Sequence, residues 1–146
     1  MIRVLCVGKI KENYLNELIN DYEKRISKYH KIEIIELKDS DIISERDEIL
    51  NHLNTKDYNV CLDINGKKMN SIELSKFIDN AFVNGYGTIT FIIGGSLGLH
   101  DDIKNKCNYK LSFSDMTFPH GLFRGILLEQ IYRSFKILNN ESYHKW

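Results

Sequence analysis

Apolar positions fall into two rhythms along the chain, short compact runs and longer stretches spaced three and four residues apart. The first run, Ile2-Arg3-Val4-Leu5-Cys6-Val7, is closed by Gly8 and reads as a buried strand. After a charged loop over Lys9–Glu12, residues Tyr14, Leu15, Leu18, Ile19, Tyr22 and Ile26 recur at helical spacing and predict a helix over Asn13–Lys28. The β-branched content of Ile32–Leu37 predicts a second strand. A helix is expected over Ser44–Leu53, with Ile49, Leu50 and Leu53 inward. Tyr58–Ile64 reads as a third strand, followed by Asn65-Gly66 as a strand-to-helix turn. Asn70 and Glu73 have the spacing of a capping box for the next helix, whose core face is Ile72, Leu74, Phe77, Ile78 and Phe82. Thr88–Ile93 is a strand, Gly94–Gly98 a glycine loop, and Asp101–Cys107 a short helix. Tyr109–Phe113 is the last strand. A long helix starts near His120, with Leu122, Phe123, Ile126, Leu127, Ile131, Phe135 and Leu138 on its apolar face.

Strand and helix therefore alternate, which predicts an α/β fold: one domain over residues 1–146, a mostly parallel sheet flanked by helices. In such sheets ligands bind beyond the carboxyl ends of the strands. Three loops leave strand ends, at 64–67, 94–98 and 114–118, and they meet at one edge if their strands run parallel.

Composition narrows the class. Lys and Arg balance Asp and Glu at 20 each, so bulk charge does not advertise nucleic acid, although a local patch is invisible in the total. No apolar run is long enough to span a membrane and no charged leader precedes one, so the expected setting is the cytosol. Cys6, Cys61 and Cys107 are far apart and odd in number, and read as buried thiols. There is no Cys-x-x-Cys or His-x-x-x-His, and no metal is expected.

Candidate chemistry concentrates between Leu111 and Arg124, around the single proline, Pro119. Ser114, Asp115 and Thr117 lie in a polar loop, and His120 and Arg124 share one face of the following first helical turn. An ordinary helix cap with a solvated His and Arg is the competing reading. Gly94–Gly98 also matches Gly-x-Ser-x-Gly, the nucleophile elbow of hydrolases, with Ser96 as nucleophile and Asp115 and His120 or His144 as later partners. Against it stand the short chain and the lack of a His-Gly-Gly-Gly motif. The uncharged loop instead suits close approach to a neutral or zwitterionic ligand. Basic residues from Lys9 to Lys31 interleave with Tyr14, Tyr22 and Tyr29 as on RNA surfaces, but the acidic residues among them favour a solvated helix face. His30, His52 and His100 read as surface histidines. The aromatic tail Tyr143-His144 suggests packing against something, such as a partner subunit.

The combination of Gly94-Gly95-Ser96-Leu97-Gly98-Leu99, the run Leu111–His120, Leu128-Glu129-Gln130-Ile131-Tyr132-Arg133 and Tyr143-His144-Lys145 resembles the SPOUT superfamily. Within it, the likeness is to bacterial enzymes that methylate N3 of a pseudouridine in 23S ribosomal RNA. It extends to Val7-Gly8-Lys9, Tyr22–Arg25 and Leu62–Lys67, and so covers the whole chain. The resemblance implies a C-terminal trefoil knot, which periodicity does not reach, and a homodimer using S-adenosylmethionine and acting on 23S rRNA in the assembled ribosome. It implies a cofactor pocket of Leu62, Gly94, Phe113, Ser114, Asp115, Met116, Thr117 and Phe118. The substrate side it implies is His120, Arg124, Tyr143 and His144, the tail reaching the partner's cofactor. Trp146 and a shorter segment between the second and third strands depart from the family pattern. The chemistry asks for a base, His120 or His144, and a cation, Arg124, beside the anion that forms. A cofactor-binding dimer without transfer activity is a third reading.

Overall fold

A computed structural model describes residues 1–145; Trp146 lies outside the described residues. These form five strands and five helices in strict alternation: β1 (Ile2–Val7), α1 (Asn13–Ile26), β2 (Ile32–Leu37), α2 (Ile42–His52), β3 (Tyr58–Lys68), α3 (Ser71–Val83), β4 (Ile89–Ile93), α4 (Asp101–Lys106), β5 (Tyr109–Ser112) and α5 (His120–Leu138). The sheet order is β2-β1-β4-β3-β5 and each described pairing is parallel. The expected α/β sheet is therefore present.

Period-two alternation in the strands feeds two cores. Ile2, Val4 and Cys6 of β1 and Ile89, Phe91 and Ile93 of β4 face α1, α3 and α5. Leu5, Val7 and Ile92 face the other way, against Ile49 of α2 and Ile103 of α4. Gly121 and Gly125 let α5 lie close to α1, since an added Cβ would come within 2.8 Å of Leu15 Cδ1 and 2.7 Å of Leu18 Cδ2 respectively. The Asn70–Glu73 capping box forms in both directions, at 2.8 and 2.9 Å. Asn70→Ala is expected to cost about 1 kcal/mol, read as a lower denaturation midpoint with an unchanged denaturant slope.

Two boundaries and two core assignments differ from expectation. Helix α2 begins at Ile42 because the Asp41 carboxylate accepts the Ser44 amide at 2.9 Å and caps it two residues early. Strand β3 does not stop at Ile64. It bulges out after Leu62 and pairs again through Lys67 and Lys68, so that Leu111 of β5 faces both Leu62 and Lys67. Gly66 is no tight turn; a Cβ there would lie 2.7 Å from the Lys110 carbonyl group, so glycine permits the bulge to press on β5. Ile72 and Leu122, expected inward, are exposed, one on the outer side of α3 and the other near the start of α5.

Candidate functional site

Because the strands run parallel, every loop that follows a strand emerges at one edge of the sheet, and β4, β3 and β5 are neighbours there. Their loops enclose a cavity of about 370 Å³, within the range of roughly 300–1,000 Å³ usual for small-molecule sites. Its walls come from Leu62 and the β3 bulge, from Gly94 and the glycine loop, and from Phe113, Ser114, Met116, Thr117 and Phe118 after β5. Seven of the eight residues expected to hold a cofactor thus meet. Asp115 does not line the cavity; its carboxylate turns outward to pair with Lys68.

Backbone geometry shapes this cavity. The glycine loop folds back on itself through a Gly98 amide donating to Gly95 at 3.0 Å. A Cβ on Gly94 would sit 2.6 Å from the Gly98 carbonyl oxygen. In the third wall, the Ser112 hydroxyl donates to the Ser114 carbonyl and the Ser114 hydroxyl accepts the Met116 amide, holding the loop open. Phe118 stacks on Phe123 and Phe113 meets Phe123 edge-on. Phe123 is a wall residue that helical periodicity assigned only to the core. Lys104 and Asp63, ion-paired at 3.3 Å, also line the cavity; Asp63 falls within the Leu62–Lys67 likeness without being expected at the site, and no motif in the sequence marked Lys104.

A second, more polar cleft of about 230 Å³ lies on the other side of the glycine loop, between the ends of β1 and β4. His120, Gly95 and Ser96 line both. Arg124 belongs to this second cleft and is not solvated: it is 3% exposed, pairs through Nη1 with Glu36 and donates through Nη2 to the Gly8 carbonyl at 3.0 Å. Of the two residues that share one helix face, His120 therefore stands at the junction of the two cavities and Arg124 lies in the second.

Tyr143 and His144 are elsewhere on the same chain, folded back along α5. The Tyr143 hydroxyl donates to Glu129 at 2.8 Å, Arg133 lies over its ring, and Arg133 Nη1 is 3.0 Å from His144 Nδ1. Burial, with Tyr22 and Glu129 beside it, pushes the Tyr143 phenol up, so it stays a donor.

The other candidates resolve differently. Ser96 sits in a loop that returns on itself, helix α4 starts only at Asp101, and Asp115 faces a lysine, so no elbow or triad assembles among the described residues. Tyr22 and Tyr29 turn inward onto Tyr132 of α5 and leave only Tyr14 well exposed. His30 is half-buried rather than fully solvated: it stacks on Phe82 and Phe135, and burial lowers its pKa. His100 caps α4, its Nδ1 accepting the Asp102 amide at 3.0 Å. Cys6 and Cys61 are buried as expected, and burial pushes the Cys6 thiol up to about 11. Among the described residues no helix is long and apolar enough to cross a membrane, and no cluster of metal-ligating side chains forms.

Comparison with known proteins converges on one family. Residues 1–144 match the family model described as a predicted SPOUT methyltransferase. The chain is 50% identical, over 99% of each sequence, to the ribosomal RNA large subunit methyltransferase H of Clostridium botulinum strain Alaska E43. Among solved structures it resembles a probable methylase family protein from Haemophilus influenzae, with TM-score 0.61 at 11% identity, covering 99% of this chain and 70% of that one. It also resembles the SpoU methyltransferase AviRb from Streptomyces viridochromogenes in complex with the cofactor AdoMet, with TM-score 0.50 at 11% identity, covering 91% of this chain and 57% of that one.

Proposed function

Since the chain belongs to the SPOUT methyltransferase family, we propose that it methylates N3 of a pseudouridine in the large-subunit ribosomal RNA, within assembled ribosomes and as a homodimer. The observation that carries this reading is the pair of clefts joined at His120, one for a methyl donor and one for the accepting base. The donor of the family is S-adenosylmethionine, which supplies a methyl group on a sulfonium; N3 takes it in line as the carbon–sulfur bond breaks toward sulfur. The apolar walls at Leu62, Phe113 and Phe118 and the backbone-lined glycine loop fit such a zwitterionic, adenine-bearing molecule. Leu62, Gly94 and the 113–118 loop would hold it; Asp115, from outside the cavity, steadies that loop through Lys68.

The chain's own work is alignment and proton removal. N3–H is a weak acid, and N3 attacks only after losing its proton. His120, at the junction of the clefts, can take that proton, and the neighbouring Arg124 cation favours the imide anion left behind. Tyr143 and His144 line neither cleft of their own chain, so in this reading the tail serves the partner subunit. Exposed Tyr14, Met116 and Leu122 supply apolar surface for such a pairing. The C-terminal trefoil knot is part of the same reading, as are the single domain over 1–146 and a cytoplasmic setting. A chain without net charge cannot grip RNA by bulk electrostatics, which favours recognition of shape in an assembled particle.

The test is methyl transfer from labelled S-adenosylmethionine to ribosomes that lack the modification, followed by mapping of the labelled base. Label on N3 of one pseudouridine is expected. Cofactor binding without transfer would favour a silent binding dimer. Mixing His120→Ala with His144→Ala chains tests the shared site. Each variant alone is expected to lose about 10²-fold or more in rate, and the mixture to recover a substantial fraction, because mixed dimers rebuild one intact site. No recovery would place both histidines in one chain's site or remove one from it.

A further inference from the structure

The polar cleft between β1 and β4 holds two buried groups that the fold leaves half-used. Glu45 of α2 is 5% exposed; its Oε2 accepts the Ser40 amide at 2.8 Å, while Oε1 has no hydrogen-bond partner among the described residues. Arg124 uses both terminal nitrogens on Glu36 and Gly8, and its Nε has no partner either. Buried polar atoms are rarely left so, and two lining one cleft point to a ligand that supplies a donor and an acceptor together. Gly95 packs directly over Asp39 and Glu45: a Cβ there would lie 3.0 Å from Val7 Cγ1, 3.2 Å from Asp39 Oδ1 and 3.5 Å from Glu45 Oε1, so only glycine leaves room beside the carboxylates. The cleft also stands where the chain leaves adjacent strands in opposite directions, β1 toward β2 and β4 toward β5, the switch point at which parallel sheets bind ligands.

Its volume, about 230 Å³, suits a fragment such as one pyrimidine ring. Pseudouridine is joined to its ribose through carbon, so its ring keeps an N1–H that uridine has lost to the glycosidic bond. We propose that Glu45 reads this difference: Oε1 accepts N1–H of the target pseudouridine, and Arg124 Nε–H donates to the carbonyl between N1 and N3. Glu45 is then a specificity-determining residue. This rests on the reading of the chain as a pseudouridine N3 methyltransferase and adds to it how the isomer is told from uridine. A carboxylate faced with uridine is left buried and unpaired, which is how sites built around a hydrogen bond reject the analogue that lacks it.

The experiment compares wild type and Glu45→Gln on two ribosome preparations, one carrying pseudouridine at the target position and one carrying uridine there. In Glu45→Gln the amide oxygen stays on the Ser40 amide, so the NH₂ faces the cleft and opposes N1–H with a donor. Wild type is expected to prefer pseudouridine. The variant is expected to lose tenfold or more in kcat/KM on pseudouridine, with little change on uridine, so that the preference collapses. Calorimetry with S-adenosylmethionine, which binds on the other side of the glycine loop, is expected to be unchanged and reports that the variant is folded. Should Glu45→Gln fail to fold, Glu45→Asp keeps the charge but withdraws the acceptor by one methylene, and the preference is expected to fall there too. Equal losses on both substrates, an unchanged preference, or a wild type without preference overturns the inference. A wild type that methylates neither overturns the functional reading itself.

Discussion

Arg124→Met is expected to lower the rate of methyl transfer by about 10²–10³-fold while leaving affinity for S-adenosylmethionine nearly unchanged. The guanidinium is fixed before any substrate arrives: one arm on Glu36, one on the Gly8 carbonyl, with Arg124 lining the polar cleft. Deprotonation of N3 spreads negative charge over the flanking carbonyls, and a preoriented buried cation stabilises that charge without reorganising. Methionine fills similar space and keeps the packing of α5 but removes the charge. Stability is expected to fall only modestly, because the Glu36 side chain is 41% exposed and water replaces its partner. Lysine is expected not to rescue the rate, since a single ammonium cannot span Glu36 and Gly8 and still present a donor to the cleft. Single-turnover kinetics beside calorimetry separate the two effects. A methionine variant within threefold of the wild-type rate would leave Arg124 as a strut between α5 and the ends of β1 and β2.

Gly94→Ala is expected to abolish measurable cofactor binding and to destabilise the fold by about 1–3 kcal/mol. The added Cβ would meet the Gly98 carbonyl oxygen at 2.6 Å and its carbon at 2.7 Å, both backbone atoms that no rotamer change moves aside. The loop must open, and with it the wall that both clefts share. Gly87→Ala is the control: a Cβ there has nothing within 4 Å, so binding and thermal midpoint are expected to stay near wild type. Calorimetric titration with S-adenosylmethionine and a thermal melt read both quantities; normal binding by Gly94→Ala would show that the loop gives way cheaply and is not what shapes the site.

The hydrophobic rhythm of the chain, read locally, determined its alternation of strands and helices, the Asn70–Glu73 cap and the three strand-end loops. Each of these depends on residues close in sequence: period two or 3.6, a cap three residues from its partner, a glycine run after a strand. The parallel sheet then brought the three loops together, as that alternation implied. The chemical identity of the site came from the likeness of its motifs to a family, which periodicity alone would not have supplied.

Other features waited on pairings between distant residues. Asn65-Gly66 reads locally as a turn, but Lys67 and Lys68 rejoin β5, more than forty positions along the chain, and turn the segment into a bulge that walls the cavity. Arg124 reads as half of a solvated helix face until Glu36 and Gly8, both beyond the helix, bury and orient it. His30 looks isolated among polar neighbours until Phe82 and Phe135 stack on it. Glu45 is one more acid on a polar helix until the Ser40 amide holds one of its oxygens and the closing cleft isolates the other. Local spacing determines which face of an element is apolar. What stands opposite a polar group, and whether water reaches it, is decided only when the sheet is assembled, because both are properties of contacts made across the fold.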